Sequence, residues 1–238
     1  MRDMTAPSCD AANLEAMGEA VTYQAAMRQL VVDSLGPHTA DASVLDFGAG
    51  RGDYAAGLQR QQPAEVLCLE PDRALHQHYP ADLPVVASLR DLRAGVDSAY
   101  SLNVFEHIED DVGTLRELAR HCRPGARIFI LVPANPKLWT AMDTLVGHRR
   151  RYMPDTPRDV VRQAGLTLVE EGWFDRTGYF ATRAYQLLQR AGLGGSGPAG
   201  AVSKRQIRVF DMLFKVLEPV LARFEFGKNC WVLAQVPD

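Results

Sequence analysis

The chain is poor in cysteine and has no long apolar run, and each shortage excludes a class of protein. No apolar run approaches the roughly 18 residues that a membrane-spanning helix requires, and residues 1–10 lack the apolar core of a signal peptide. The cysteines are far apart and form no C-x-x-C pair or zinc-like set with histidine: Cys9, Cys68, Cys122 and Cys230. We therefore expect a soluble, cytoplasmic protein without disulfides, in which Cys68 and Cys230 are small buried strand residues.

An excess of basic charge is also missing. The net charge of -3 gives no support to nucleic-acid binding as the main role of the protein. The charge is nevertheless uneven, because there are 11 basic and 19 acidic residues through Pro136, and 15 basic and 10 acidic residues beyond it. The basic second half is compatible with an acidic substrate, with an anionic membrane surface, or simply with solvated helix faces and structural ion pairs.

Apolar runs and helical patterns alternate along the chain of 238 residues, which is long enough to bury one sizeable core. Helical stretches begin near Asp53, Asp72 and Asp110. The predicted strands are 44–47, 66–70, 85–87, 99–103, 128–132, 166–173 and 231–236. Such alternation predicts an α/β fold with a parallel sheet and right-handed crossovers.

The pattern also divides the chain into a single domain with four parts. A helix over 13–35 opens an N-terminal cap, residues 1–40, and a cofactor-binding core is predicted at 41–135. A polar, proline-punctuated insertion, residues 136–157, is predicted to be a lid. The remaining half, 158–238, contains three predicted helices, at 159–164, 179–189 and 203–224, of which the last is amphipathic with a break near Pro219. A glycine-rich segment, 192–200, is expected to be flexible.

The most informative stretch is 44–52, which reads VLDFGAGRG. An apolar strand ends here in Asp46, and Gly48, Gly50 and Gly52 follow on alternate positions around Ala49. Glycines allow a sharp turn and a close approach of the backbone to a ligand. The next apolar run ends in an acid, Glu70, which is suited to accept the two hydroxyls of a ribose.

The order of these groups favours one class of ligand. Dinucleotide-binding loops place a pyrophosphate at the start of the following helix, whereas Asp46 before the glycines would repel a phosphate. S-adenosylmethionine has no phosphate, carries an ammonium and a sulfonium, and still needs an acid for its ribose. The alternative is an ordinary strand-to-helix turn without a ligand.

Four motifs in order give the chain a family resemblance. After 44–52 come LEPD at 69–72, SLNVFEHIEDD at 101–111, and RPG followed by an apolar strand at 123–133. With them the chain resembles the class I S-adenosylmethionine-dependent methyltransferases that act on small molecules, of the type 11/12-like groups. The resemblance implies a Rossmann-like, doubly wound sheet of seven strands, mostly parallel, whose last strand runs antiparallel between the fifth and sixth.

The resemblance also implies roles for particular residues. The cofactor would contact Asp46, Gly48, Ala49, Gly50, Gly52, Glu70, Pro71, Ser88, Leu89 and Asn103. Where the family often has an acid for the adenine amine, this chain has Ala87-Ser88-Leu89, so Ser88 would be a weaker partner. The reaction would convert S-adenosylmethionine to S-adenosylhomocysteine.

Two histidines are candidates for the base that a hydroxyl acceptor needs. His107 lies in a Glu-His pair that often has a structural role, and His148 lies in a Gly-His-x-Arg-Arg-Tyr pattern found in a subset of the family, some of which resemble enzymes of polysaccharide or natural-product assembly. A related group of quinone-precursor O-methyltransferases holds a metal near the first motif. Because their earlier acid is replaced here by Asn103, we expect no metal.

The predicted lid supplies most of the candidate substrate contacts: Trp139, Asp143, Arg150, Tyr152 and, outside the lid, Tyr179. Loops over the carboxyl ends of strands are where open α/β sheets bind ligands. The competing interpretation is a structural lid whose arginines tie it to the acidic core.

The sequence therefore predicts an enzyme that methylates a small-molecule acceptor, most plausibly O-methylation of a natural-product or sugar hydroxyl in secondary metabolism such as antibiotic biosynthesis. One alternative is C- or N-methylation of an apolar acceptor, with or without cyclisation, in a pocket walled by aromatic residues. Another is a cofactor-binding protein that catalyses a pericyclic reaction or serves as a partner subunit, because fold alone does not fix function. A peripheral membrane contact through 212–221 is a further possibility, although burial of that helix is the simpler expectation.

Overall fold

The computed structural model describes residues 18–153, 155–192 and 203–238. Within these residues, strands form one seven-stranded sheet in the order β3-β2-β1-β4-β5-β7-β6. The strands are β1 Ser43–Phe47, β2 Glu65–Leu69, β3 Val85–Val86, β4 Val96–Leu102, β5 Cys122–Pro133, β6 Thr167–Phe174 and β7 Asn229–Gln235. The first five strands pair in parallel, and β7 runs antiparallel between β5 and β6. The predicted Rossmann-like fold class is confirmed.

Helices connect these strands and cover both faces of the sheet. They are α1 Val21–Leu35, α2 Asp53–Gln59, α3 Asp111–Arg120, α4 Ala141–Leu145, α5 Thr156–Gln163, α6 Arg176–Arg190 and α7 Lys204–Leu221. Of the predicted helix over 13–35, residues 13–17 lie outside the described residues, as do Cys9 and most of the glycine-rich segment, 193–200. No helix in the described part of the chain combines the length and the hydrophobicity needed to cross a bilayer.

Two local predictions were wrong. Where a helix was expected from Asp72, the chain forms a single 3-10 turn, His76–His78. Asp72 accepts a hydrogen bond from the backbone N–H of Ala74 at 2.9 Å, and this side-chain contact favours a turn over a helix. The break expected near Pro219 is also absent, because α7 continues through the proline to Leu221. A proline so close to the end of a helix removes only one backbone hydrogen bond.

The core lies on both faces of the central strands. On one face, β5 contributes Ile128 and Ile130 and packs against α3 and α5 through Leu115 and Val161. On the other, Phe129 and Leu131 of the same strand belong to a cluster that includes Met27 of α1 and Phe214 of α7. This burial on two sides explains why the strands read as continuous apolar runs. Cys68, Cys122 and Cys230 are buried and free, in keeping with the expected absence of disulfides among them.

Two carboxylates of α7 join the helices of the second face. Asp211 accepts hydrogen bonds from the backbone N–H groups of Thr22 and Tyr23 at 3.0 and 2.8 Å, at the start of α1. Glu218 accepts from the backbone N–H groups of Arg176 and Thr177 at 3.0 and 2.9 Å, at the start of α6. Both acids therefore satisfy helix N-termini that have no partners within their own helices.

A candidate active site at the carboxyl ends of the strands

The predicted ligand loop, residues 48–52, folds over the ends of β1 and β2. The backbone N–H groups of Gly48 and Ala49 donate to the carbonyl oxygen of Leu69 at 2.9 and 3.0 Å. Gly48, Gly50 and Gly52 all have positive φ angles, of 82°, 57° and 77°. Only glycine adopts such angles without strain, so the loop requires three glycines for its own conformation.

The three glycines differ in how much space surrounds them. A side chain at Gly48 would lie 2.5 Å from Val104, and one at Gly52 would lie 2.8 Å from the ring of Tyr79. Beside Gly50, in contrast, no atom lies within 4 Å of the position that a side chain would take. A side chain at Gly50 would therefore meet open space, whereas side chains at Gly48 and Gly52 would collide with protein neighbours. All three glycines stay predicted cofactor contacts.

Glu70 supports this loop from the end of β2. One carboxylate oxygen accepts a hydrogen bond from the backbone N–H of Gly50 at 2.9 Å, and the other accepts from Asp72 at 2.8 Å. Burial raises the pKa of Glu70, although both of these hydrogen bonds oppose that shift. Each oxygen retains a second lone pair, so the group can still accept a ribose hydroxyl. Pro71 lies between Glu70 and Asp72 and is half-buried.

Asp46 is buried and is held by the neighbouring strand. It accepts a hydrogen bond from the hydroxyl of Tyr100 on β4 at 2.8 Å. Burial raises the pKa of Asp46 to about 7, although the Tyr100 hydroxyl lowers it. The sequence did not single out Tyr100, nor Tyr79, whose hydroxyl donates to the carbonyl of Gly50 at 2.9 Å. Both lie far from their partners in sequence, and no local pattern marks them.

On the predicted adenine side, the next acid in the sequence after Ser88 is Asp91. The hydroxyl of Ser88 donates to the carboxylate of Asp91 at 3.1 Å, across the 3-10 turn Leu89–Asp91. Ser88 and Leu89 remain predicted contacts of the adenine.

A second polar site begins just after β4. Asn103 has a positive φ of 55°, a conformation that asparagine tolerates better than most residues, and it is followed by the 3-10 turn Phe105–His107. The ring centroids of Phe105 and Phe47, at the end of β1, are 5.8 Å apart. This contact places Glu106 and His107 on the same edge of the sheet as the glycine loop.

The lid reaches this edge through a buried ion pair. Asp143 accepts hydrogen bonds from both Nε and Nη2 of Arg151 at 2.7 and 3.1 Å, and from the backbone and hydroxyl of Thr140. Arg151 also donates to the carbonyl of Ala134 at the end of β5. Burial raises the pKa of Asp143, but hydrogen bonds from His148 and Arg151 overcome that effect and hold the pKa well below its usual range.

Asp143 also fixes the imidazole of His148. The Nδ1 atom of His148 lies 2.9 Å from Asp143, and because a carboxylate only accepts, Nδ1 carries the proton. The Nε2 atom lies 3.6 Å from Oε1 of Glu106. The ring of His107 is 4.9 Å away, centroid to centroid. Glu106, His107 and His148, here called the histidine cluster, thus gather around one point.

Glu106 is the unusual member of the histidine cluster. Its side chain is fully buried, and neither carboxylate oxygen has a hydrogen-bond partner. Burial raises the pKa of Glu106 to about 8, and burial together with His148 lowers the pKa of His107 to about 4. Buried polar groups normally have partners, so this carboxyl marks a functional position or one that binds a proton tightly.

The same three residues offer one ligand atom each within 4.8 Å of one another. Two imidazoles and a carboxylate are a donor set that divalent transition metals accept. From Asn103 we expected no metal, whereas the spacing of these three side chains would allow one. An experiment described below distinguishes the two.

The structure gives most predicted substrate residues protein partners instead. Tyr152 is 2% exposed and its hydroxyl donates to Asp111 and to the carbonyl of Phe105. Arg150 donates to Asp111 and to the carbonyl of Glu109, and Asp143 is saturated as described above. These three side chains tie the lid to the sheet through protein partners, and they stay predicted substrate contacts.

Trp139 and Tyr179 remain available. Trp139 is 37% exposed, and its indole N–H donates to Thr144 within the lid. Tyr179 is half-buried and contacts the rings of Phe180 and Phe226. Both stay predicted substrate contacts.

Comparisons with known proteins agree with this geometry. A family model described as "Methyltransferase domain" matches residues 20–171. A protein of Mycobacterium tuberculosis, named as a probable S-adenosylmethionine-dependent methyltransferase, is 27% identical over 147 residues, or 58% of this chain and 53% of that protein. The trans-aconitate 2-methyltransferase of Deinococcus radiodurans is 31% identical over 110 residues, or 44% of this chain and 43% of that protein. The chain spans about half the length of these curated relatives.

Solved structures share the fold at low identity. The complex between the Haloferax volcanii Trm112 methyltransferase activator and a methyltransferase gives a TM-score of 0.63 at 19% identity over the whole of both chains. A SAM-dependent methyltransferase from Archaeoglobus fulgidus gives 0.57 at 18%, covering 91% of this chain and 94% of that one. The [4+2]-cyclase SpnF gives 0.55 at 14%, with 89% and 80% covered. At such identities the likeness concerns the fold alone.

We expect replacement of Glu70 by alanine to weaken binding of S-adenosylmethionine by roughly 30-fold or more, because a charged acceptor for the loop and the ribose is lost. Isothermal titration calorimetry measures this directly. Glu65→Ala, at the exposed start of the same strand, is the matched control and should bind as the unmodified protein does. Unchanged affinity of Glu70→Ala would show that Glu70 and the glycine loop do not form the cofactor site.

A second prediction concerns Glu106, whose folded-state pKa of about 8 lies above its ordinary value of 4.5. The stability associated with its neutral form is fully present below pH 4.5 and is lost as the pH rises through about 8. Glu106→Gln cannot ionise, so its free energy of unfolding should increasingly exceed that of the unmodified protein between these pH values, by up to about 5 kcal/mol, and its melting temperature should rise accordingly. The exposed Glu170→Gln is the control. Parallel melting curves for Glu106→Gln and the unmodified protein would show that Glu106 is ionised throughout.

Proposed function

Because the chain belongs to the class I S-adenosylmethionine-dependent methyltransferases, we propose that it transfers the methyl group of S-adenosylmethionine to a hydroxyl of a small molecule. The observation that carries this proposal is the orientation of His148 by Asp143 at the same sheet edge as the glycine loop. An imidazole oriented by a carboxylate through Nδ1, with Nε2 left to accept a proton, is the arrangement expected of a general base. The acceptor would be a natural product or a sugar.

The residues present suit this cofactor. The open space beside Gly50 admits the chain of the cofactor against bare backbone, and Glu70 offers carboxylate lone pairs beside it. When bound, S-adenosylmethionine would supply a methyl group activated by its sulfonium. The leaving group would be S-adenosylhomocysteine. The protein then has to align the acceptor oxygen in line with the carbon–sulfur bond.

In the proposed step, Nε2 of His148 would take the proton of the acceptor hydroxyl as its oxygen receives the methyl group from the cofactor. The resulting imidazolium is stabilised by Asp143 through the Nδ1 hydrogen bond, as the carboxylate already faces that proton. Arg151 keeps Asp143 ionised by donating to both of its oxygens. Glu106, 3.6 Å from Nε2, is a positioning residue in this scheme, since in its neutral form it does not compete for the proton.

We expect His148→Ala to retain the cofactor affinity of the unmodified protein and to lose turnover by a factor of roughly 10² or more. Turnover is measured as transfer of a labelled methyl group from S-adenosylmethionine to candidate sugar and polyketide acceptors. His121→Ala is the control, because the side chain of His121, just after the end of α3, bonds to Glu117 of that helix. Equal turnover in His148→Ala would reduce the lid histidine to a structural role.

A chelation experiment distinguishes an imidazole base from a metal site. Because Asn103 stands where related O-methyltransferases have an acid, we expect dialysis against a chelator to leave turnover unchanged. Loss of turnover that a divalent cation restores would instead assign the histidine cluster to a metal that activates the hydroxyl directly.

The second candidate function is C- or N-methylation, or a pericyclic reaction without methyl transfer. It is supported by the aromatic contacts of Tyr179 with Phe180 and Phe226 and by the fold shared with a protein named as a [4+2]-cyclase. The same labelled cofactor separates the candidates. Label on product oxygen supports the first proposal, label on carbon or nitrogen supports the second, and an unlabelled rearranged product makes the cofactor a scaffold.

A further inference from the structure

Exposed apolar side chains are concentrated on one pair of helices. Among the described residues, 16 large hydrophobic side chains are exposed, and 11 of them belong to α6, α7 or Phe224. They are Phe180, Tyr185, Leu187, Leu188, Val209, Met212, Leu213, Val216, Leu217, Val220 and Phe224. We call this surface the α6–α7 face. Single exposed apolar residues are normal, but a concentration of this kind marks an interaction site.

Helix α7 is apolar on both of its sides. Ile207 and Phe214 face the core, while Met212, Val216 and Val220 recur every four residues and are 61%, 64% and 60% exposed. A helix that packs only against its own protein needs one apolar stripe, not two. The burial expected for 212–221 is therefore only half realised, and the outward stripe is left uncovered by the described residues.

The outward stripes of the two helices are connected. Phe224 follows the end of α7, and its ring contacts Phe226, with centroids 6.0 Å apart. Phe226 in turn contacts Phe180 of α6 at 5.5 Å. Since α6 and α7 also pack against each other, the α6–α7 face is one surface rather than two separate patches.

Charge decides what this surface fits. Residues 176–224 contain eight basic and two acidic residues, a net charge of +6, whereas the rest of the chain carries -9. The two acids are Asp211 and Glu218, and both are engaged at the N-termini of α1 and α6. Arg208 is paired with Glu19 and Arg176 with Glu218, at 2.7 and 3.5 Å, and Glu225 is an exposed acid beside Phe224. The exposed cations Arg205 and Lys215 lie on α7 together with the outward stripe, so the charge around the apolar surface is predominantly positive.

We propose that the α6–α7 face binds the surface of an anionic lipid bilayer, with both helices lying in the interface. Apolar side chains would enter the boundary of the acyl chains, and arginine and lysine side chains would contact the anionic headgroups. A second copy of this chain fits less well, because two faces of charge +6 would repel each other. The α6–α7 face is independent of the chemistry proposed above.

The lid is tied to this face. The side-chain amide of Gln186 on α6 donates to the carbonyls of Lys137 and Trp139 at 2.9 and 3.1 Å. A bilayer that holds α6 therefore also holds the segment that leads to Trp139. This arrangement suits an acceptor that reaches the active site from the membrane.

The experiment is flotation of the full chain with vesicles. We expect the protein to float with vesicles of phosphatidylcholine mixed with phosphatidylglycerol, and not with phosphatidylcholine alone. Met212→Glu/Val216→Glu should bind at least about tenfold more weakly, because charge would enter the apolar boundary. Arg205→Glu/Lys215→Glu should lose a similar factor, as should the unmodified protein in high salt.

The matched control is Met153→Glu/Val169→Glu, which adds the same charge at residues 56% and 45% exposed outside the face. It should float as the unmodified protein does, and thermal melting confirms that each variant is folded. Absence of flotation with either vesicle overturns the proposal, and so does equal binding by Met212→Glu/Val216→Glu. Sedimentation velocity without lipid identifies a second copy as the occupant if it shows a dimer that the same variant dissociates.

Discussion

The carboxylate of Asp143 is the group on which the catalytic edge depends. It binds the guanidinium of Arg151, the ring of His148 and the first turn of the lid helix at once. A buried ion pair adds little net stability by itself, but leaving one of its charges alone is costly. The lid and the imidazole are therefore held in one arrangement, because each alternative would leave the charge of Asp143 or Arg151 buried without a partner.

Glu106 contrasts with Asp143, because neither of its carboxylate oxygens has a hydrogen-bond partner. The two carboxyls face the same histidine from opposite sides, and their environments shift their pKa values in opposite directions. Separation of this kind is how one site keeps one acid ionised and another neutral near pH 7. Burial of Glu106 is unfavourable, and the packing of the surrounding residues at this end of the sheet has to offset its cost.

The sequence predicted the parts of the molecule that depend on local pattern. Strand ends, the glycine loop and the acid Glu70 follow from spacing over a few residues, and the structure has them where they were expected. The Tyr100–Asp46 contact spans 54 positions, and no periodicity reveals such a pair. Similarly, the contacts of Arg150 and Tyr152 with Asp111 span 39 and 41 positions, and no local pattern indicates them. For 212–221 the sequence left burial and a peripheral membrane contact both open, because an amphipathic pattern does not say which side of a helix the core will cover.

The position of β7 has a consequence for how the chain folds during synthesis. Within the described residues, β6 pairs with β7 alone, and β7 is the strand that connects it to β5. Residues 167–174 must therefore wait until residues 229–235 have left the ribosome, while the parallel half of the sheet, β1 to β5, can pair as soon as it emerges. During that interval β5 presents an open, apolar edge, so the nascent chain is exposed to aggregation until residues 229–235 have been made.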